Sequence, residues 1–207
     1  MMRQLLRIGI VFGFLAMNGG TIATSVSAQA PPPPPPPPPP ARDYFPASWE
    51  QYESKEGRFR VRFPGKPKEE SSIQETSTGK LNVHSMRYKG LLAYQVSYID
   101  FAKPLDDAAT AKQVFQAMRA SALEASKEQN SLVVKEKEVS VNGYPGYFLH
   151  IEFNGKMVGR LEWVLVSNRV YTITVEGRKS STNELEGKDD FEKIAMGFIN
   201  SFEVLSQ

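Results

Sequence analysis

The chain has 207 residues, 25 of them basic and 23 acidic, and two of the basic residues, Arg3 and Arg7, are the only charges before residue 42. The rest therefore balances at 23 against 23, which excludes the basic excess of a nucleic-acid binder, and no basic run with interleaved aromatics marks a binding groove. With no cysteine in the chain, disulfides, thiolate metal sites, cysteine nucleophiles and a lipid-modified amino-terminal cysteine are all excluded.

The first segment reads as a signal peptide, residues 1–28. Arg3 and Arg7 precede an apolar stretch from Ile8 to Met17, and small polar residues follow, which is the charged, apolar, small order of a secretory leader. The apolar stretch is too short for a membrane helix, which needs roughly twenty residues. Ala28-Gln29-Ala30 fits the cleavage pattern but would leave a proline at the new terminus, so Val26-Ser27-Ala28, cut before Gln29, is the better site. Residues 29–42 form a proline-rich linker. Its ten consecutive prolines, 31–40, lack the N–H groups of a helix or sheet ladder and settle into an extended left-handed helix, roughly 30 Å long.

The remainder, residues 43–207, has the size of one domain with a sizeable core. The run "RFRVRF" from Arg58 to Phe63 alternates Phe59, Val61 and Phe63 with arginines and predicts a strand with one apolar face. A polar stretch, "KPKEESSIQETSTGK", leads through a turn at Gly79-Lys80 to two further strands, "LNVHSMRY" and Leu91 to Phe101, in a meander of three or four. A helix follows over "LDDAATAKQVFQAMRASALEASKEQ", capped by Asp106 or Asp107, with Ala111, Val114, Met118, Ala122 and Ala125 on one face. A second meander runs from Leu132 to Gly177. The chain ends in a helix with Phe191, Ile194, Phe198 and Phe202 on one stripe, and then a short strand, "FEVL". Trp49, Tyr52 and the Tyr44-Phe45 pair are expected to cover a sheet edge or helix end, and Tyr144-Pro145-Gly146-Tyr147, after Asn142-Gly143, to make a tight corner.

The hydrophobic pattern sets a register for the second meander. A three-residue loop at Asn154 to Lys156 puts Leu149 opposite Leu161, whereas a two-residue turn would mix the faces. The same rule at Ser167 to Arg169 puts Trp163 opposite Ile173, so that Tyr147, Leu149, Ile151, Phe153, Leu161, Trp163, Leu165, Tyr171, Ile173 and Val175 all point inward. The outer face then carries His150, Arg160 and Glu176 side by side, with Phe148, Glu162 and Thr174 in the next row. His150, Arg160, Glu162 and Glu176 are the expected partner-binding residues.

Catalytic motifs are sparse. His150 and Glu152 share a strand face and could ligate a metal with His84 as third ligand, but a fixed Arg160 cation beside His150 opposes this, and Arg160 paired with Glu176 is the simpler arrangement. Ser77-Thr78-Gly79-Lys80 lacks the partner motifs of a Ser-x-x-Lys enzyme and the flanking residues of a phosphate loop, so it reads as a hairpin turn. No motif calls for a cofactor.

Four segments together resemble a known family. "FRVRFPGKP" opening the domain, "VSVNGYPGY" before a long hairpin, "RVYTITVEG" as its last strand and "FEKIAMGFINSFEVL" as terminal helix and strand are similar to the PsbP-like and Mog-like domains. The likeness covers about Trp49 to Leu205. It implies an α+β fold, an α/β/α sandwich with a mostly antiparallel sheet of about six or seven strands and two main helices, and a role in docking rather than turnover. The expectation is an exported, periplasmic or secreted, non-enzymatic binding or accessory module, held off by its polyproline spacer and docking on an envelope protein. The alternative is a small metal-dependent or hydrolytic enzyme using His84, His150 and Glu152.

Overall fold

A computed structural model describes residues 48–76, 79–102, 104–105, 107–126, 130–178 and 188–205. The expected leader, the proline run, the Tyr44-Phe45 pair, Ser77-Thr78 and Asp106 lie outside the described residues. Among the described residues ten strands and two helices follow one another as β1 (Glu50–Ser54), β2 (Phe59–Phe63), β3 (Lys68–Thr76), β4 (Gly79–Lys89), β5 (Ala93–Asp100), α1 (Ala108–Ser126), β6 (Ser131–Val141), β7 (Tyr144–Phe153), β8 (Met157–Val166), β9 (Arg169–Arg178), α2 (Lys188–Asn200) and β10 (Glu203–Val204). Seven strands form one antiparallel sheet in the order β3-β4-β5-β9-β8-β7-β6, and the other three form a small sheet, β1-β2-β10. No helix among the described residues is long and apolar enough to cross a membrane.

The large sheet is covered on both faces. On one side α1 lays Ala111, Val114, Phe115, Met118 and Ala122 on Leu149, Ile151, Leu161, Trp163 and Leu165. Asp107 starts that helix, its Oδ1 accepting the Thr110 N–H at 2.8 Å. On the other side the small sheet and α2 bury Phe59, Val61, Phe63, Phe191, Phe198 and Ile199 against Tyr94, Val96, Tyr98, Tyr171, Ile173 and Val175. Phe202, the last of the expected α2 stripe, is buried there too, but it follows the helix end.

Three departures from the sequence reading concern strands. "RFRVRF" does not enter the large sheet; β2 pairs with β1 and β10, and its Phe59 and Phe63 rings meet Phe202 and Phe198 at 5.5 and 5.1 Å. The polar stretch after Pro64-Gly65 is itself a nine-residue strand, β3, at the sheet edge, where exposure removes the apolar alternation that would announce it. Tyr144 to Tyr147 likewise continue as strand β7, and the tight turn is Asn142-Gly143, at φ +52° and +85°. Trp49 and Tyr52 do pack inward, Trp49 against Tyr94 at 5.3 Å and Tyr52 against Phe63 at 5.9 Å.

Where β7 passes between β6 and β8, backbones approach closely at Gly146. A Cβ there would meet the Trp163 carbonyl oxygen at 2.8 Å and a Val139 methyl at 3.0 Å. Because one obstacle is backbone, Gly146→Ala should cost about 2 kcal/mol in urea unfolding. An unchanged midpoint would mean that the β7–β8 ladder yields at this point.

Candidate functional site

The β7–β8 register is the expected one, with Phe153 opposite Met157, Leu149 opposite Leu161 and His150 opposite Arg160. The next connection differs. Val166 pairs directly with Arg169, so the turn has two residues, Ser167 and Asn168, and Trp163 faces Thr172 while Glu162 faces Ile173. The slip of one residue turns β9 over: Tyr171, Ile173 and Val175 lie on the α2 side, and Glu176 lies on the α1 side opposite Gly159 and Ala93. Hydrophobic pattern could not decide this turn, because β8 and β9 are buried on both faces and lose their alternation.

The expected row is therefore divided. Arg160 and Glu162 are each 6% exposed, beneath α2 rather than on a solvated face. Arg160 does not pair with Glu176. It gives Nε and Nη2 to one carboxylate oxygen of Glu192 on α2, at 2.8 and 2.5 Å, and lies 5.1 Å from the Phe191 ring centroid. Glu162 lies in register between Phe148 and Ile173. Burial pushes its pKa up to about 7, and Lys137 on β6 offsets part of that shift. His150 is half-buried beside Arg160.

His84 and His150 do not meet. They sit on β4 and β7, four strand spacings apart, or about 19 Å across the sheet. His84 stacks on Tyr98 at 4.8 Å with Nδ1 3.1 Å from the Ser71 hydroxyl, a packed position on the α2 side. Among the described residues no three of His, Asp and Glu are grouped to hold a metal.

A different site opens at the end of the sheet where β4 turns into β5 and β9 finishes. It is a cleft of 840 Å³ whose walls carry Lys66, Lys68, Arg87, Lys89 and Arg178, with Glu70, Glu176, Ala93, Met157 and the half-exposed Leu91. Strand geometry puts Arg87 and Lys89, two apart on β4, on one side, and pairs Arg87 with Lys68 across β3. Lys68 reaches Glu70 at 2.5 Å. Burial raises the pKa of the Glu176 carboxyl, which Arg87 only partly counters.

No protein-family model matches the chain, and no curated protein is significantly similar to it in sequence. Among solved structures, a Pseudomonas aeruginosa protein of unknown function is similar at a TM-score of 0.39 and 16% identity, over 72% of this chain and 94% of that one. The solution structure of cyanobacterial PsbP from Synechocystis sp. PCC 6803 is similar at a TM-score of 0.52 and 12% identity, over 78% of this chain and 95% of that one. The fold is PsbP-like.

Within the PsbP-like domain the cleft was the site that sequence reasoning missed. Its signal was present in "RYK", where basic residues two apart share a strand face, in the two lysines of "KPK" at the start of β3, and in Arg178 at the end of β9. Nothing in these short runs says that β3, β4 and β9 bring them to one end of a sheet.

Proposed function

We propose that this chain is an exported, non-enzymatic accessory module that docks on an envelope protein, with residues 43–207 as the docking domain and the proline run as its spacer. The reading is supported by the PsbP-like fold, by the order of charged, apolar and small residues in 1–28, and above all by one observation: a wide cleft whose walls gather five cations in a domain of balanced charge. Cations held around an open cleft attract and orient a partner of opposite charge and raise the rate of encounter. The catalytic alternative has less to stand on, since its two histidines lie on separate strands of the sheet. Because Arg160 and Glu162 are buried and Glu176 lies on the other side of the sheet, the binding role moves from the row of His150, Arg160 and Glu162 to the cleft, which of the four expected residues keeps Glu176.

In-cell crosslinking of the tagged full-length protein, with mass spectrometry of the captured exported fraction, tests the reading. One dominant envelope partner that binds again when both proteins are purified is expected; no partner above background rejects a docking role.

A further inference from the structure

The charges of this domain are not distributed evenly between paired and unpaired positions. Arg60, Arg119, Arg160 and Arg169 are each neutralised by a carboxylate, from Glu203, Glu136, Glu192 and Asp100 respectively. Lys55, Lys112 and Lys156 are unpaired elsewhere among the described residues, but the cleft brings unpaired cations together. Among the described residues Lys66, Lys89 and Arg178 have no ion-pair partner, and Arg87 has only the electrostatic approach of Glu176. Only Lys68 is matched, by Glu70. Like charges crowded on one concave surface repel one another, and a ligand that supplies the missing negative charge relieves that repulsion.

The remaining lining narrows the chemistry. Leu91, 51% exposed at the β4–β5 turn, and Met157 and Ala93 give the cleft an apolar strip between its cations. A free phosphate or other small anion would leave that strip wet. A flat bilayer surface could touch the rim lysines but could not enter a concave site to reach Ala93 or Glu176. The five cations are exposed whereas Ala93 and Met157 are half-buried, so negative groups belong at the rim and an apolar group inside. A polypeptide segment with aspartates or glutamates flanking an apolar side chain meets all of these conditions, its acidic groups on the lysines and arginines and its apolar group against Leu91 and Met157.

We infer that the cleft bounded by Lys66, Arg87, Lys89 and Arg178 is a docking site for an acidic polypeptide segment carrying an apolar anchor. The inference rests on the docking role proposed above and adds the surface and the partner's chemistry.

The test is a fluorescence-anisotropy titration of the full chain with a short fluorescein-labelled peptide of glutamate and leucine, alongside a control peptide with glutamine for glutamate. The acidic peptide is expected to bind, the control to bind at least about tenfold more weakly, and the affinity to fall about tenfold on going from about 50 to about 300 mM salt. The triple variant Lys66→Glu/Lys89→Glu/Arg178→Glu should lose the acidic peptide by more than tenfold while keeping its melting temperature, since its side chains are exposed. A folded triple variant that binds as the wild type does overturns the site. So does equal binding of the glutamine control, or a wild-type affinity for inorganic phosphate or for vesicles of anionic lipid that matches the peptide's. The two readings fail separately: a crosslinked partner that the triple variant still captures removes the cleft and leaves docking, whereas peptide binding with no partner in cells removes docking and leaves the cleft.

Discussion

Glu162→Gln is expected to make the protein more stable at alkaline pH and to leave it nearly unchanged in mild acid. The carboxyl sits 6% exposed on β8, in register between Phe148 and Ile173 and beneath the layer that holds α2. Burial raises its folded pKa to about 7 from an ordinary 4.5, and the Lys137 ammonium across the sheet only partly offsets that. Between those two values the unfolded chain has released the proton and the folded chain still holds it. Folding therefore favours the protonated form: this contribution is fully present below the unfolded pKa and is lost as pH rises through about 7. At 1.36 kcal/mol per pKa unit the loss amounts to about 3 kcal/mol in all. Glutamine keeps the shape and cannot ionise, so the variant should lack this decline. Urea unfolding of both proteins from about pH 5 to about pH 8.5 measures it, and parallel pH profiles would place the titration on another group. Glu176, also raised by burial, adds a term of the same sign. The acid side has the opposite sign. Arg169 and Arg119 hold the Asp100 and Glu136 carboxyls below their usual range, so their contributions are lost as pH falls.

Arg169→Ala should cost about 3 kcal/mol of stability and loosen the small sheet first. Arg169 is buried, and its guanidinium grips Asp100 through two hydrogen bonds of 2.6 and 2.7 Å. A third N–H donates to the Glu56 carbonyl at 2.8 Å, in the turn between β1 and β2, and the group lies 4.4 Å from the Tyr98 ring centroid. Beside it the Tyr171 hydroxyl donates to the Gly57 carbonyl at 2.7 Å. These contacts tie the β1–β2 turn to β5 and β9 of the large sheet. Removing the guanidinium leaves three acceptor oxygens, two of Asp100 and the Glu56 carbonyl, without their donor and exposes the stacked tyrosine. Asp100 is itself about half exposed, which holds the cost at the lower end for a broken buried pair. Arg169→Lys keeps the charge and loses the bidentate geometry, so it should recover only part of the stability. Unfolding free energies of the two variants, with amide exchange of β2, check this: exchange in β2 should rise more than in β8. A loss spread equally over both sheets would show that Arg169 supports the whole core and does not tether one layer.

Most of the elements were legible one by one, though β1 and β3 were not. Alternation in "RFRVRF", the spacing of Ala111, Val114, Met118 and Ala122 and the loop at Asn154 to Lys156 are local consequences of residue type, and each forms the element that the pattern predicts. Local pattern carries such information wherever one face of an element is apolar and the other wet. It failed where that contrast vanishes. Both faces of β8 and β9 are buried, so their alternation is lost, and a turn shorter by one residue moved Glu176 to the side of the sheet opposite Arg160. Edge strand β3 has almost no buried residue to betray it. The charges followed the same division. That the acids and bases balance, and that basic residues recur two apart near 66 and 87, is plain from the residues alone. Which of them meet depends on the packed layers: Arg160 with Glu192 beneath α2, and Lys66, Arg87, Lys89 and Arg178 around one cleft. Such pairings join residues from strands and helices far apart in the chain, and their partners are chosen by how the layers pack.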